Sequence, residues 1–193
     1  MPRFLAESAD AALDHTYTDR LPSRPYILFV GALQPHHGLG PLLAAYERLE
    51  NPPPLVLIGS VWPETPKRFP PSVTVLHNVP HHVVMAAWER SLFGVAPSVW
   101  PDPLPGVVRE AMSKGIAMIA SNIGGNTDMI SDGETGLLAP PGDVGALAAA
   151  MRRLIDDPAL RERLGQAGRR SARQYAAGAV LPRFEAIYQQ LVG

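Results

Sequence analysis

Two carboxylates, Asp102 and Glu110, sit in "WPDPLPGVVREAM", where an apolar run passes through a proline-rich turn into helical spacing. Asp102 precedes the expected helix and Glu110 falls about two turns along it, at about 1.5 Å per residue. A carboxylate beside Val107, Val108, Ala111 and Met112 costs burial energy unless donors reach it. Vicinal hydroxyls of a ribose or a sugar are such donors. Backbone amides of the next loop are another source, and would make Glu110 structural. Glycines gather nearby: Gly31, Gly38 and Gly40 in "GALQPHHGLG", and Gly124 and Gly125 in "SNIGGNTD". Glycine in such turns costs entropy and implies positive φ or a close backbone approach. A glycine-rich loop opening a helix can hold a phosphate through free N–H groups and the helix dipole, or can be a plain structural turn.

Other chemistries fit less well. The glycine spacing is neither G-x-G-x-x-G nor Walker A, and no acidic residue ends the following strand to hold a ribose. His36-His37 and His81-His82 are adjacent pairs whose side chains diverge, with no cysteine or H-x-x-x-H pattern to complete a metal site. They read as solvated or capping histidines, and no metal is expected. Arginines at 152, 153, 161, 163, 169, 170 and 173 are interrupted by Asp156, Asp157 and Glu162, as on exposed helix faces. Nucleic-acid binding is not expected, because no stacking aromatics accompany them.

The elements that must position these residues alternate. "PYILFVG" (25–31), "PPLVLIGS" (53–60), "SVTVLHNV" (72–79), "LFGVAPS" (92–98), "IAMIAS" (116–121) and "ETGLLAP" (134–140) read as short buried strands. Helical spacing follows the first at Leu39, Leu42, Leu43 and Tyr46, and "PHHVVMAAWERS" is a helix over 80–91. Pro105 is expected as the first residue of the next helix and Gly115 as its stop. Asp143 caps "DVGALAAAMRRLI", a helix restarts at Asp157-Pro158 and runs through Leu164, and a last one covers 179–191. Strands alternating with helices mean a parallel sheet covered on both faces, a Rossmann-like α/β fold that binds ligands beyond the strands' carboxyl ends. The clusters lie there, at 31–40, 77–80, 98–106 and 121–128.

Composition agrees. The chain has 193 residues, 46% hydrophobic and 18% charged, with net charge −1 and no cysteine. That suits one globular domain and excludes disulfide frameworks and thiolate chemistry. Residues 1–24 read as a linker or arm, and 25–193 as the domain. The N-terminus lacks a signal-peptide pattern and no apolar run nears the ~20 residues of a membrane span, so a cytoplasmic location is expected.

From Pro25 to about Val192 the chain resembles the C-terminal, nucleotide-sugar-binding domain of family 4 glycosyltransferases, the large GT-B group. The stretch "PSVWPDPLPGVVREAMSKGIAMIASNIGGNTDMISDGETGLLAPPGD" carries the likeness in order and spacing. The family's two glutamates separated by seven residues fall on Asp102 and Glu110. Gly124, Gly125 and Asp128 match its Gly-Gly-x-x-Glu turn, with Asp for Glu. The resemblance implies that Glu110 binds the ribose hydroxyls and Asp102 faces the transferred sugar. It also implies donor contacts from Gly31, His37 and Gly38, from Asn78 and Val79 near the base, from Leu104, Pro105, Gly106 and Val107 at the helix start, and from Gly124 and Gly125. It further implies retaining transfer from a nucleotide diphosphate-sugar, which is substrate rather than cofactor, usually without a metal.

The family's Arg after the first strand's glycine is Ala32 here, and its Lys before the later glycine is His37. Arginine's bidentate grip on phosphate has no substitute in alanine. A full family enzyme has two such domains and this chain has room for one. The acceptor-binding N-terminal domain is therefore expected to be missing or supplied by a partner, which could also tether the chain to a membrane. Alone, the chain is expected to be inactive. A non-catalytic nucleotide-sugar-binding or scaffold protein is the alternative, and a dehydrogenase the least favoured one.

Overall fold

A computed structural model describes Tyr17 and residues 19–192. Six strands, β1 (Tyr26–Val30), β2 (Leu55–Ile58), β3 (Val73–Leu76), β4 (Ser91–Ala96), β5 (Met118–Ser121) and β6 (Leu137–Ala139), form one sheet in the order β3-β2-β1-β4-β5-β6. Every pairing is parallel. The strands are apolar at nearly every position because both faces are covered. Ile27, Phe29, Leu55, Leu57 and Ile119 enter one core, and Tyr26, Leu28, Val56, Ile58 and Met118 the other. Burial pushes the Tyr26 phenol up to about 12, and its hydroxyl donates to the Ala87 carbonyl at 2.9 Å.

Six α-helices among the described residues cover those faces, α1 (Leu39–Glu47), α2 (His81–Arg90), α3 (Gly106–Ser113), α4 (Asn126–Met129), α5 (Val144–Asp156) and α6 (Pro158–Ala172), and α7 (Ala177–Val192) follows them in the chain. Their ends follow local chemistry. Asp143 and Asp157 cap α5 and α6 by accepting from Ala146 N (2.9 Å) and Leu160 N (2.8 Å). Gly115, at φ +77°, ends α3 with paired bonds from Gly115 N to Met112 O and Ile116 N to Ala111 O. Pro105 is the residue before α3, not its first, so Glu110 lies one turn from the helix start. The helix is shorter at its N-terminus than its spacing suggests.

Helix α6 continues past Leu164 to Ala172, through Gly165 and Gly168. Both are contact glycines. A Cβ on Gly165 would stand 2.0 Å from the Gly115 carbonyl oxygen, and one on Gly168 would stand 3.0 Å from that of Thr135. Gly165→Ala therefore opposes two effects: helix propensity gains about 1 kcal/mol, while overpacking costs about 1–3 kcal/mol. Net destabilisation is expected, read as a lower denaturation midpoint at unchanged slope. A rise in the midpoint would show that α3 and α6 separate without cost.

Leu21, near the end of the expected arm, is buried in the core with Tyr26 and Trp88. Helix α7 is the opposite case. Leu181, Phe184, Ile187, Tyr188 and Leu191 are all more than half exposed along it.

Candidate functional site

The strand order reverses between β1 and β4: the chain steps outward from β1 to β3, then returns to the other side of β1 as β4. Such a switch point opens a crevice at the carboxyl ends of the two strands. The loops leaving β1 and β4 meet there. Val99 N and the Ser98 hydroxyl both donate to the His36 carbonyl at 3.0 Å. Gly38, at φ +79°, lies so close that a Cβ would stand 1.8 Å from the Pro97 carbonyl oxygen.

Two connected spaces result. The larger, about 520 Å³, is lined by His36, His37, Ser98, Trp100, Pro101, Asp102 and Pro103. The smaller, about 40 Å³, shares His37, Ser98 and Asp102 with it and reaches inward to Phe29, Ala96, Pro105, Val107 and Asn126. Asp102 accepts from Leu104 N at 3.1 Å, which holds its carboxylate at the mouth of α3. Trp100 and Leu104 are 65% and 55% exposed. Among the described residues, no lysine or arginine lines either space.

The start of α3 opens into the same crevice. No side chain caps it, and its first turn carries no acidic residue. Val108 N and Arg109 N turn back to the Pro105 carbonyl, leaving Gly106 and Val107 to present their N–H groups. A Cβ on Gly106 would meet nothing within 4 Å, so packing within the protein does not require glycine here.

Gly124 and Gly125 have an internal role. A Cβ on Gly125 would stand 2.1 Å from the Pro103 carbonyl oxygen, and one on Gly124 2.8 Å from that of Asp102. Gly125 N donates to the Asp102 carbonyl at 2.7 Å. This pair seats the Asp102 loop, so its glycines already have a protein neighbour to approach.

Glu110 stands apart from Asp102. It faces α2, where its Oε1 lies 3.0 Å from His81 Nε2, with side chains 26% and 70% exposed respectively. No backbone amide from the next loop bonds it among the described contacts, so its surroundings are those of a half-open carboxylate. His81 thus has a partner across 29 residues and is not simply solvated. Past β3, Asn78 adopts φ +54°, a region in which asparagine is enriched, and its carbonyl accepts from the Tyr17 hydroxyl at 3.4 Å.

His37 is the titratable group of the crevice. Burial lowers its pKa from the ordinary 6.5, His36 lowers it further, and Asp102 opposes both. The folded value lies below the unfolded one, so the unfolded chain binds the extra proton first, and His37 costs stability as pH falls through 6.5. Binding an anion beside it reverses the preference. Affinity for a diphosphate is therefore expected to rise as pH falls from 8 to 5.5. Titration calorimetry at pH 5.5, 6.5 and 8 checks this. Equal affinities at all three would place His37 outside the anion's reach.

Residues 18–171 match the family described as Glycosyl transferases group 1. The chain belongs to this family. It is 31% identical to the glycogen synthase of Mycobacterium tuberculosis over 153 residues, which covers 74% of this chain and 37% of that protein. To the alpha-maltose-1-phosphate synthase of Mycolicibacterium smegmatis it is 30% identical over 167 residues, covering 76% and 43%. This group 1 glycosyltransferase chain thus spans less than half the length of either relative. Sucrose-phosphate synthase from Thermosynechococcus elongatus superimposes with a TM-score of 0.78 at 29% identity, over 93% of this chain and 49% of that one. The fold is accordingly one Rossmann-like half of a GT-B arrangement. The same fold occurs in Anabaena HepE in complex with UDP-glucose (TM-score 0.74, 19% identity, 92% and 50% coverage).

Two residues of the site were not singled out by sequence reasoning. His81 reads as one of a diverging, solvated or capping pair, and nothing in a linear pattern ties it to Glu110. Asn126 carried a fainter signal, an amide directly after Gly-Gly at the start of a short buried segment.

Proposed function

We propose that this glycosyltransferase domain binds a nucleotide diphosphate-sugar and presents it for retaining transfer to an acceptor held by a second, N-terminal domain or a partner. The observation that carries the reading is the uncapped start of α3, opening beside Asp102 and His37 at the β1/β4 switch point. In glycosyl transfer the bond from the anomeric carbon to the diphosphate oxygen breaks, and its electron pair stays on that oxygen. The Gly106 and Val107 N–H groups and the dipole of α3 stabilise the charge that develops there. Glu110, one turn along, accepts the ribose hydroxyls from the rim shared with α2. The base lies against the backbone of His77–Val79. Asp102 faces the sugar. The relatives named above support the class of reaction. The UDP-glucose bound by HepE makes that donor the first probe.

Ala32 and the poorly protonated His37 favour a second reading, a binding protein without turnover. One experiment separates them. Calorimetry with UDP-glucose, GDP-mannose and ADP-glucose finds the matching donor, and a labelled-donor assay then follows transfer to lipid, sugar and polysaccharide acceptors. The expected result is donor binding by the isolated chain, transfer only once an N-terminal domain is added, and apolar contact through Trp100 and Leu104. Proximity requires both reactants in one cleft. Transfer by the chain alone, well above donor hydrolysis, overturns the half-site reading. Binding without transfer in the presence of a competent N-terminal domain supports the second.

A further inference from the structure

Asn126 is 3% exposed, and its side chain is half satisfied. The Nδ2 group donates to the Ser121 carbonyl at 3.0 Å, while Oδ1 is buried with no partner. The orientation is set by chemistry, since a carbonyl only accepts and the amide nitrogen must face it. An orphaned buried acceptor of this kind is costly and calls for an explanation. Asn126 lines the 40 Å³ recess at the inner end of the crevice, which is large enough for a hydroxyl-bearing group or an ordered water.

The rest of the recess carries acceptors and donors side by side, with His37 and Val107 also in its wall. Asp102 contributes a carboxylate, and the Ser98 hydroxyl is already directed to the His36 and Trp100 carbonyls. His37 stands in the wall but makes no hydrogen bond to the Asn126 oxygen. Beside the Asn126 oxygen and the Asp102 carboxylate, a neutral group with O–H donors is favoured over a phosphate. The start of α3, which lines the same recess through Pro105 and Val107, has the opposite polarity, with N–H groups and positive dipole. The crevice is thus divided into an anion end and a hydroxyl end.

We propose that Asn126 is a sugar-reading residue: its Oδ1 accepts a hydrogen bond from one hydroxyl of the sugar carried by the nucleotide donor, beside Asp102. This rests on the nucleotide-sugar reading above, which the bare nucleotides test separately. The experiment compares each diphosphate with its sugar conjugate, UDP with UDP-glucose, GDP with GDP-mannose and ADP with ADP-glucose, on wild type and Asn126→Leu, a near-isosteric apolar side chain. In wild type the sugar is expected to raise affinity over the matching bare diphosphate. In Asn126→Leu that increment is expected to fall about tenfold, while affinity for the bare diphosphate changes less than twofold. Deoxy analogues of the matching sugar then locate the contact: the one hydroxyl whose removal weakens wild type should be neutral in the variant. If Asn126→Leu does not fold, Asn126→Ser carries the same comparison. An unchanged increment, or none in wild type, overturns the proposal and leaves the recess to a structural water. Equal losses for bare and conjugated diphosphate overturn it in favour of a purely structural Asn126. Failure of the folded wild type to bind any bare diphosphate overturns the nucleotide reading itself, and this proposal with it.

Discussion

Glu110→Ala loses about 10- to 100-fold in nucleoside diphosphate affinity and keeps a melting temperature close to wild type. The first half follows from the strength of hydrogen bonds to a charged acceptor, about 1.5–3 kcal/mol when ribose hydroxyls are the donors. The second half follows from what Glu110 touches in the free protein. Its hydrogen-bond partner among the described contacts is His81, which is mostly exposed, and exposed ion pairs contribute about 0–1 kcal/mol. A structural carboxylate satisfied by buried amides would behave the other way, since its removal leaves those donors unpaired. Calorimetry and thermal melting on the same preparation decide the matter. A large fall in melting temperature with affinity preserved would return Glu110 to the scaffold.

Restoring the missing cations should move affinity in the opposite direction. Ala32→Arg combined with His37→Lys is expected to tighten diphosphate binding by about 1.5–3 kcal/mol, roughly 10- to 150-fold. Neither cavity of the crevice has a lysine or arginine in its lining. At neutral pH the anion therefore depends on backbone N–H groups and a helix dipole, an interaction worth only about 0.3–2 kcal/mol. Two fixed charges would add to that. Because partly exposed charges are screened, the gain should shrink between 0.05 and 0.5 M salt, on the scale of a Debye length of about 10 Å at 0.1 M. Unchanged affinity at low salt would mean that the diphosphate does not lie between residues 32 and 37.

The sheet was legible because its strands advertise burial on both faces. "YILFV" and "LVLI" have no polar position, and this agrees with the two cores that Ile27 and Leu28 enter from opposite sides. Caps were legible too, since Asp143 and Asp157 act within three residues of themselves. Glycines were harder. The helix ending expected at Leu164 runs on through Gly165 and Gly168, and the cause of their small size lies in Gly115 and Thr135, far away in the chain. Gly124 and Gly125 pointed to a ligand, yet the nearest atoms are those of the Asp102 loop. The pairing of His81 with Glu110 and the orphaned oxygen of Asn126 depend on distances and burial that no spacing encodes. Asp102 and Glu110 were found from sequence as separate carboxylates, and their different neighbours emerged only from the fold.

The parallel arrangement also sets a clock. Ile27 pairs with Leu55 on one side and with Phe93 on the other. During synthesis at about 5–20 residues per second, the first partner of β1 follows within roughly 1–6 s and the second only after about 3–13 s. Until β4 is made, the apolar edge of β1 has no strand to close it, and the crevice that depends on the β1 and β4 loops does not exist. Of the strands that end paired on both sides, β1 is thus the one that waits longest for its second partner, which makes "YILFV" the segment where a nascent chain most needs shielding from its neighbours.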